Sequence, residues 1–504
     1  MIRNLAPNRV ASIAIATLFL AGCTTFSKDG GFNAVSTTAS ERLGKDAVYI
    51  KTDEDRDAAF KRTQELLSKP LGMDDALQVA LLNNRGLQAS YGELGISEAD
   101  LVQAGRLPNP GFTFSRTHWS DGFGISRTFS MGVLGILTLP VATRIESSRF
   151  EQTKLETANA MLVVAADSRK AYVNAVAAEQ AALYAAQVKD SAEAGAELAL
   201  RMRQAGNFSK LDYAREQAFY AESVAQLAKT RQQSVMARER LTRAMGLWGS
   251  GTQYKLPDRL PDLPKDRPQL NELESFAMQN RLDIQAAKLR TQSVATSLGL
   301  SKATRFINAL DVGYLNNFET DKGREQGYEI SVEIPIFDWG SAKVARAESI
   351  YMQSANRLAQ TAIDARSEVR ESYSAYVTSY DVAKHYRDEV VPLRKTISDE
   401  MLLRYNGMLT SVFELLADSR DQVAAVNGYI DALKDYWAAE TELQQSLGGR
   451  LPPLALAQGP GTSQGEPTST TSPPAPQTPQ APVQDAPPPA PTTKPASPTN
   501  SEGK

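Results

Sequence analysis

Between about Asn308 and Phe337 the chain holds two adjacent segments of about ten residues in which apolar and polar side chains alternate, with long helical sequence on either side. In the second segment Tyr328, Ile330, Val332, Ile334 and Ile336 share one face, and Glu329, Ser331 and Glu333 share the other. That is the period of a β-strand. The first segment repeats it with Leu310, Val312 and Tyr314 against Asp311 and Gly313, and the polar run Asn316 to Gly327 reads as the connecting loop. Strands over 308–318 and 327–337 have the roughly 9 to 11 residues that a tilted transmembrane strand needs, with one greasy and one wet face. An amphipathic hairpin lying on a soluble core would show the same alternation.

The N-terminus bears on which of these applies. Arg3 and Arg9 precede the apolar run Val10 to Ala21, too short to span a bilayer but suited to a secretory signal over 1–22. The run ends at Leu20-Ala21-Gly22-Cys23, and Cys23 is the only cysteine, which excludes intramolecular disulfides and thiolate metal clusters. A net charge of -3, more negative still without Arg3 and Arg9, gives no nucleic-acid surface.

Residues 24–68 are polar, with a short charged helix expected near Arg56 to Leu67. Helical periodicity starts at Asp74-Asp75-Ala76-Leu77 and runs to Arg106, with an interruption at Asn83-Asn84. Leu107-Pro108-Asn109-Pro110 stops it, and a second, less regular hairpin follows, with strands over about 111–119 and 127–140. From Val141 to Ala205 a seven-residue register of Leu155, Leu162, Val176 and Leu183, with Ala158, Ala165 and Tyr172 beside it, predicts a coiled-coil-like helix. At about 1.5 Å per residue it would reach on the order of 90 Å. Gly206-Asn207-Phe208-Ser209 breaks it, and a return helix runs from about Lys210 to Met245.

The same order occurs again in the second half. Asn84-Arg85 falls on Asn280-Arg281, Pro140 on Pro335, Gly206 on Gly407 and Gly246 on Gly448, with a nearly constant offset. Two repeats, 70–248 and 270–449, are thus joined by a proline-containing linker at 249–269. Val369, Tyr373, Tyr376, Tyr380 and Ala383 form the second seam, and Pro392 is expected to kink the second long helix. After Gly449 the composition turns to Pro, Thr, Ser and Ala, which cannot bury a core, so 450–504 reads as a disordered tail.

Four strands cannot close a barrel, and an open edge in lipid leaves backbone groups unpaired, so transmembrane strands would force oligomerisation. Two chains give eight strands and a filled interior; three give twelve and room for a conduit. Wet-face residues such as Asp311, Glu329, Glu333, Thr113 and Ser130 would then line the lumen.

Leu20 to Cys23 resembles a bacterial lipobox. Together with the duplicated helix-hairpin-helix layout, Pro335-Ile336-Phe337-Asp338-Trp339-Gly340, and Arg404-Tyr405 through Gly407 to Leu415-Leu416-Ala417, it resembles the TolC-like outer-membrane factors over about residues 70–449. The resemblance implies a mainly α fold with transmembrane β, a homotrimer with a 12-stranded β-barrel continued by a periplasmic α-helical barrel. It implies acylation of Cys23 and, with Thr24 rather than Asp next to it, sorting to the outer membrane of a Gram-negative bacterium. It implies a passive exit duct of a tripartite efflux or type I secretion system, partnered by a periplasmic adaptor and an inner-membrane pump, with no cofactor and no enzymatic activity. The tips at Gly206 and Gly407 would meet the adaptor. Gly206, Ser209, Leu211 and Asp212 fit the family's tip pattern; in the second repeat Thr410 takes the serine place, Phe413 the acidic place, and the acid comes one residue later at Glu414. Arg404, Glu414, Asp418 and Asp421 are the gate candidates, against the alternative of a solvated helix face near a turn.

Other signals point to no catalytic centre. With only two histidines, His118, placed between the strands of the first hairpin, and His385, far apart in sequence, neither a metal site nor a triad is expected, and each reads as a surface residue. Gly246 to Gly251 lacks the Lys-Ser/Thr ending of a phosphate loop and reads as a helix terminus. The rival architecture is a periplasmic coiled-coil lipoprotein acting as a scaffold, which has no need of four strands with lipid-compatible faces.

Overall fold

The computed structural model describes residues 25–267, 270, 272–307 and 309–451; the signal segment, Cys23 and residues 452–504 of the tail lie outside the described residues. A short helix α1 (Phe32–Thr38), extended by a π-turn over Ala39–Leu43, precedes α2 (Asp53–Leu67). Thr52 starts α2 because its side chain accepts from the Asp55 N–H while the Asp55 carboxylate accepts from the Thr52 N–H, a reciprocal cap. The interruption at Asn83-Asn84 is the corner between α3 (Met73–Asn83) and α4 (Arg85–Ala104). There follow β1 (Gly111–Trp119), β2 (Gly122–Gly132), α5 (Val133–Gln204) and α6 (Lys210–Met245). The second copy runs α7 (Leu273–Asn280), α8 (Leu282–Ala303), β3 (Leu310–Glu319), β4 (Gly323–Val332), α9 (Ser341–His385), α10 (Val391–Asn406) and α11 (Val412–Ser446).

Four local expectations are corrected. The second strand of the first hairpin is 122–132 rather than 127–140, and α5 follows it directly, with Pro140 inside the helix. As the eighth residue it lies past the first turn, so it costs an i→i−4 hydrogen bond and crowds the carbonyl four residues before it, a cost the long helix carries. The strand expected over 327–337 ends at Val332 because Pro335 has no N–H to continue the ladder and keeps Ile334 out of helical geometry. The run Asn316 to Gly327 is mostly strand, closed by the short turn Thr320 to Lys322, since polar side chains on both faces are compatible with a ladder that carries its own backbone bonds. His118 lies within β1, opposite Phe123, instead of between strands. At Pro392 the second long helix departs from α geometry, as expected: a π-turn over Tyr386–Val390 directly precedes the proline and places it in the first turn of α10, where a missing N–H is tolerated.

Two cores hold the helices. One joins the middle of α5 (Tyr172, Val176), the end of α6 (Leu241, Met245), the α9 seam (Val369, Tyr376, Tyr380) and α11 (Tyr436, Leu443). The proline-containing linker is part of it: Leu260 and Leu263 are buried, and Trp437 Nε1 donates to the Pro261 carbonyl at 3.1 Å. The other core is closed by the N-terminal segment, where Val35, Ala39 and Ala47 pack with Leu81, Tyr91 and Met161. In the first seam Ala158, Leu162, Ala165, Tyr172 and Val176 are buried as the register requires, while Leu183 lies exposed.

Candidate functional site

The two hairpins join edge to edge, giving one antiparallel sheet in the order β1-β2-β3-β4 with β1 and β4 open. The register puts Phe112, Phe129, Tyr314 and Tyr328 in one row across all four strands, next to a row of Met131, Val312 and Ile330. Ring centroids in the aromatic row lie 4.7 Å apart for Phe112–Phe129 and 5.8 Å for Tyr314–Tyr328. This face is uncovered: Ile330 is 70% and Tyr328 83% exposed. A broad apolar face left open on a chain with two cores is not a soluble surface.

The opposite face is mostly polar, with Leu315 and Trp119 its large apolar side chains. Asp311 sits opposite Ser331, and Glu329 opposite Gly313. Glu333 continues the same alternation just past the end of β4, where its N–H meets the Ala309 carbonyl. The register adds two carboxylates from the run expected to be a loop, Glu319 and Glu325. All four strand carboxylates therefore share this face, with Thr113, Ser130 and Asn317 around them.

At the far end of the helices two tips lie side by side, and Asn207, Ser209 and Asp212 line one shallow cleft with Tyr405, Met408 and Ser411. The first tip turns on Gly206 at φ +80, with Asn207 N–H to Met202 carbonyl 2.9 Å and Gly206 N–H to Arg203 carbonyl 3.0 Å. Ser209 then caps α6, accepting from the Asp212 N–H at 3.0 Å and donating to the Asp212 carboxylate at 2.7 Å. In the second tip the left-handed residue is Met408, φ +58, with Leu409 N–H to Arg404 carbonyl 2.8 Å; Gly407 has φ -79. The repeats therefore align one residue later here than Gly206 on Gly407: Gly206 matches Met408, Ser209 matches Ser411, and Asp212 matches Glu414. Ser411, not Thr410, is the helix cap, and the acid sits in its place after all. A methionine in this conformation costs roughly 1 to 2 kcal/mol, so glycine was a misleading anchor. Ser411→Ala is expected to remove about 1 kcal/mol of local stability. Amide exchange over the first turn of α11 should quicken, and by more than in Thr410→Val, which removes a donor to Glu414 but leaves the Ser411 cap in place.

The four gate candidates have different surroundings. Arg404 pairs with Glu400 on its own helix at 3.1 Å. Glu414 closes the cap of α11; hydrogen bonds from the Thr410 hydroxyl and then the Ser411 N–H hold its carboxyl below the usual range. Asp421 meets Arg394 of α10 at 3.0 Å. Asp418 is buried, and its Oδ2 has no hydrogen-bond partner among the described residues.

Between Asp418 and Asp421 lies the contact the sequence did not disclose. Arg420 of α11 reaches across to α6, where its Nη2 lies 3.1 Å from Glu216 Oε1 and its guanidinium covers the Phe219 ring at 4.5 Å. Glu216 is 2% exposed. Burial raises its carboxyl above the ordinary value, and the Arg420 charge pulls it back. The pair ties the return helix of the first repeat to that of the second, near the tips.

Residues 273–449 match the outer membrane efflux protein family. The chain is 22% identical over 398 residues to the cobalt-zinc-cadmium resistance protein CzcC of Cupriavidus metallidurans, covering 75% of this chain and 90% of that one. Among solved structures, the open MtrE outer membrane channel of Neisseria gonorrhoeae superposes with TM-score 0.62 at 16% identity, covering 75% of this chain and 89% of that one. The Campylobacter jejuni CmeC outer membrane channel superposes with TM-score 0.61 at 16% identity, covering 80% and 89%.

Proposed function

We propose that this chain is a TolC-like outer-membrane factor and the passive exit duct of a tripartite efflux system, three copies forming one channel through the outer membrane and across the periplasm. The observation that carries this is the sheet: two open edges, one apolar face and one acidic face, continuous with a helix of 72 residues, on the order of 108 Å long. Ten-residue strands at about 3.4 Å per residue, tilted about 40°, stand roughly 26 Å tall, close to the apolar band of a barrel of this kind. Closing β1 of one copy onto β4 of the next satisfies both edges and turns the carboxylate face inward.

The chain's role is conduction rather than catalysis. The tips, with Gly206, Ser209 and Asp212 beside Gly407, Thr410 and Ser411, form the end that receives a periplasmic adaptor, with an inner-membrane pump behind it. An acyl group on Cys23 suits this orientation. Ser27, four residues on, donates its N–H to Glu98 Oε1 at 2.6 Å, on the helix whose end leads into β1. Four residues of chain reach at most about 14 Å.

A lumen lined by Asp311, Glu319, Glu325 and Glu329 from each copy favours cationic cargo. The test is current through single channels of the purified lipoprotein in a planar bilayer. Cation preference is expected, and Asp311→Asn with Glu329→Gln should lower it roughly severalfold. Absence of any ionic current would overturn the duct.

A further inference from the structure

The same alternation that gathers the carboxylates on one face places every strand arginine on the other. Arg116, Arg127 and Arg324 all belong to the apolar face, on the turn-side half of the sheet, together with His118, and no strand acid shares that face. Arg116 stands opposite Ile125, Arg127 opposite Phe114 and Arg324 opposite Phe318. Neighbouring strands lie about 4.8 Å apart and diagonal partners about 7 to 8 Å, so Arg116 and Arg127 are diagonal neighbours while Arg324, three strands from Arg116, stands about 14 Å across the sheet, and the three form a basic row wide enough for more than one phosphate group. Among the described residues the hairpins hold one ion pair, Lys322–Glu319 at 3.0 Å, which involves none of them.

We infer that Arg116, Arg127 and Arg324 form an outward-facing binding site for the phosphate groups of outer-leaflet glycolipids. The inference rests on the duct reading, which turns this face to the bilayer. Cations without carboxylate partners sit beyond the aromatic row, at the level where the strands leave the hydrocarbon. Guanidinium forks bind phosphate oxygens in pairs. Phe114, Ile125 and Phe318 lie among them and suit acyl chains, while Asn316, which accepts from Arg127 at 3.5 Å, and Gln326 add neutral polar groups at headgroup level. Lipid is therefore the occupant whose two halves match the two kinds of side chain, and a phosphorylated one the species that meets the charge.

The full-length protein, extracted in mild detergent, is incubated with diphosphorylated lipid A or with the same lipid dephosphorylated, and retained lipid is counted by native mass spectrometry. The expected result is preference for the phosphorylated form by roughly tenfold, lost in Arg116→Gln/Arg127→Gln/Arg324→Gln. Should that variant not assemble, Arg324→Gln on the edge strand replaces it and should lower the preference. Equal retention of the two lipids by the unaltered protein, undiminished preference in the variant that assembles, or equal retention of phosphatidylglycerol would overturn the site. The same spectra report the number of chains: a trimer without lipid preference overturns only this inference, whereas a monomer overturns the duct.

Discussion

Replacing Ile330 with arginine is expected to prevent the protein from assembling in the outer membrane, while arginine at the next residue, Ser331, leaves assembly intact and alters only ion selectivity. The two positions differ in face and in nothing else of consequence. Ile330 lies between Val312 and the uncovered apolar rows, 70% exposed, whereas Ser331 stands opposite Asp311 on the carboxylate face. A lipid-facing arginine near mid-bilayer costs roughly 2 to 4 kcal/mol, and a trimer incurs it three times. In each chain that is a large part of a folding stability of about 5 to 15 kcal/mol. Outer-membrane fractionation followed by heat-resistant oligomer analysis reads the difference. Equal assembly of both variants would remove the lipid-facing assignment, since a scaffold in water distinguishes the two faces only weakly.

The second large effect concerns the tips. Arg420→Gln leaves Glu216 buried without its cation, and conductance at neutral pH is expected to rise because α6 and α11 are no longer tied. Losing one partner of a fully buried pair costs roughly 3 to 5 kcal/mol; Arg420 is about one-third exposed, so about 1 to 2 kcal/mol is the better figure. That shifts a closed-to-open ratio roughly five- to thirtyfold. The pH dependence follows from Glu216. Its carboxyl is already raised by burial and held down by Arg420, so removing the arginine raises it further. The ionised, unpaired carboxylate destabilises the closed tip above that raised value, and protonation relieves the penalty as pH falls through it. The extra conductance of Arg420→Gln should therefore shrink on acidification. A variant that conducts like the unaltered protein at neutral pH would take this pair out of the gate.

What the sequence disclosed, and what it hid, follows from which interactions leave a local pattern. The apolar rows of the sheet were legible because Ile330 and Val332 alternate with Glu329 and Ser331, and burial on a lipid face demands that period. The outer halves of β3 and β4 were not, because Asn316, Asn317, Glu325 and Gln326 are polar on both faces and carry no period at all. Glu319 and Glu325 were missed with them. The duplication was visible in its glycines and in the spacing of its seams, yet glycine misplaced the second tip, where Met408 takes the left-handed conformation at a cost in strain. Pro140 suggests the end of a strand because a proline inside a helix is unusual; it lies eight residues into α5, where it costs one hydrogen bond that the length of the helix outweighs. Arg420 and Glu216 are 204 residues apart, and only the packing of the two return helices brings them together.

The central claim is that each chain's open sheet is completed by its neighbours, and the native mass of the protein extracted from outer membranes in mild detergent tests it most directly. Three chains per particle is the predicted result, giving twelve strands and a lumen. A particle of one chain, held in the membrane only through its N-terminal cysteine, would contradict the account.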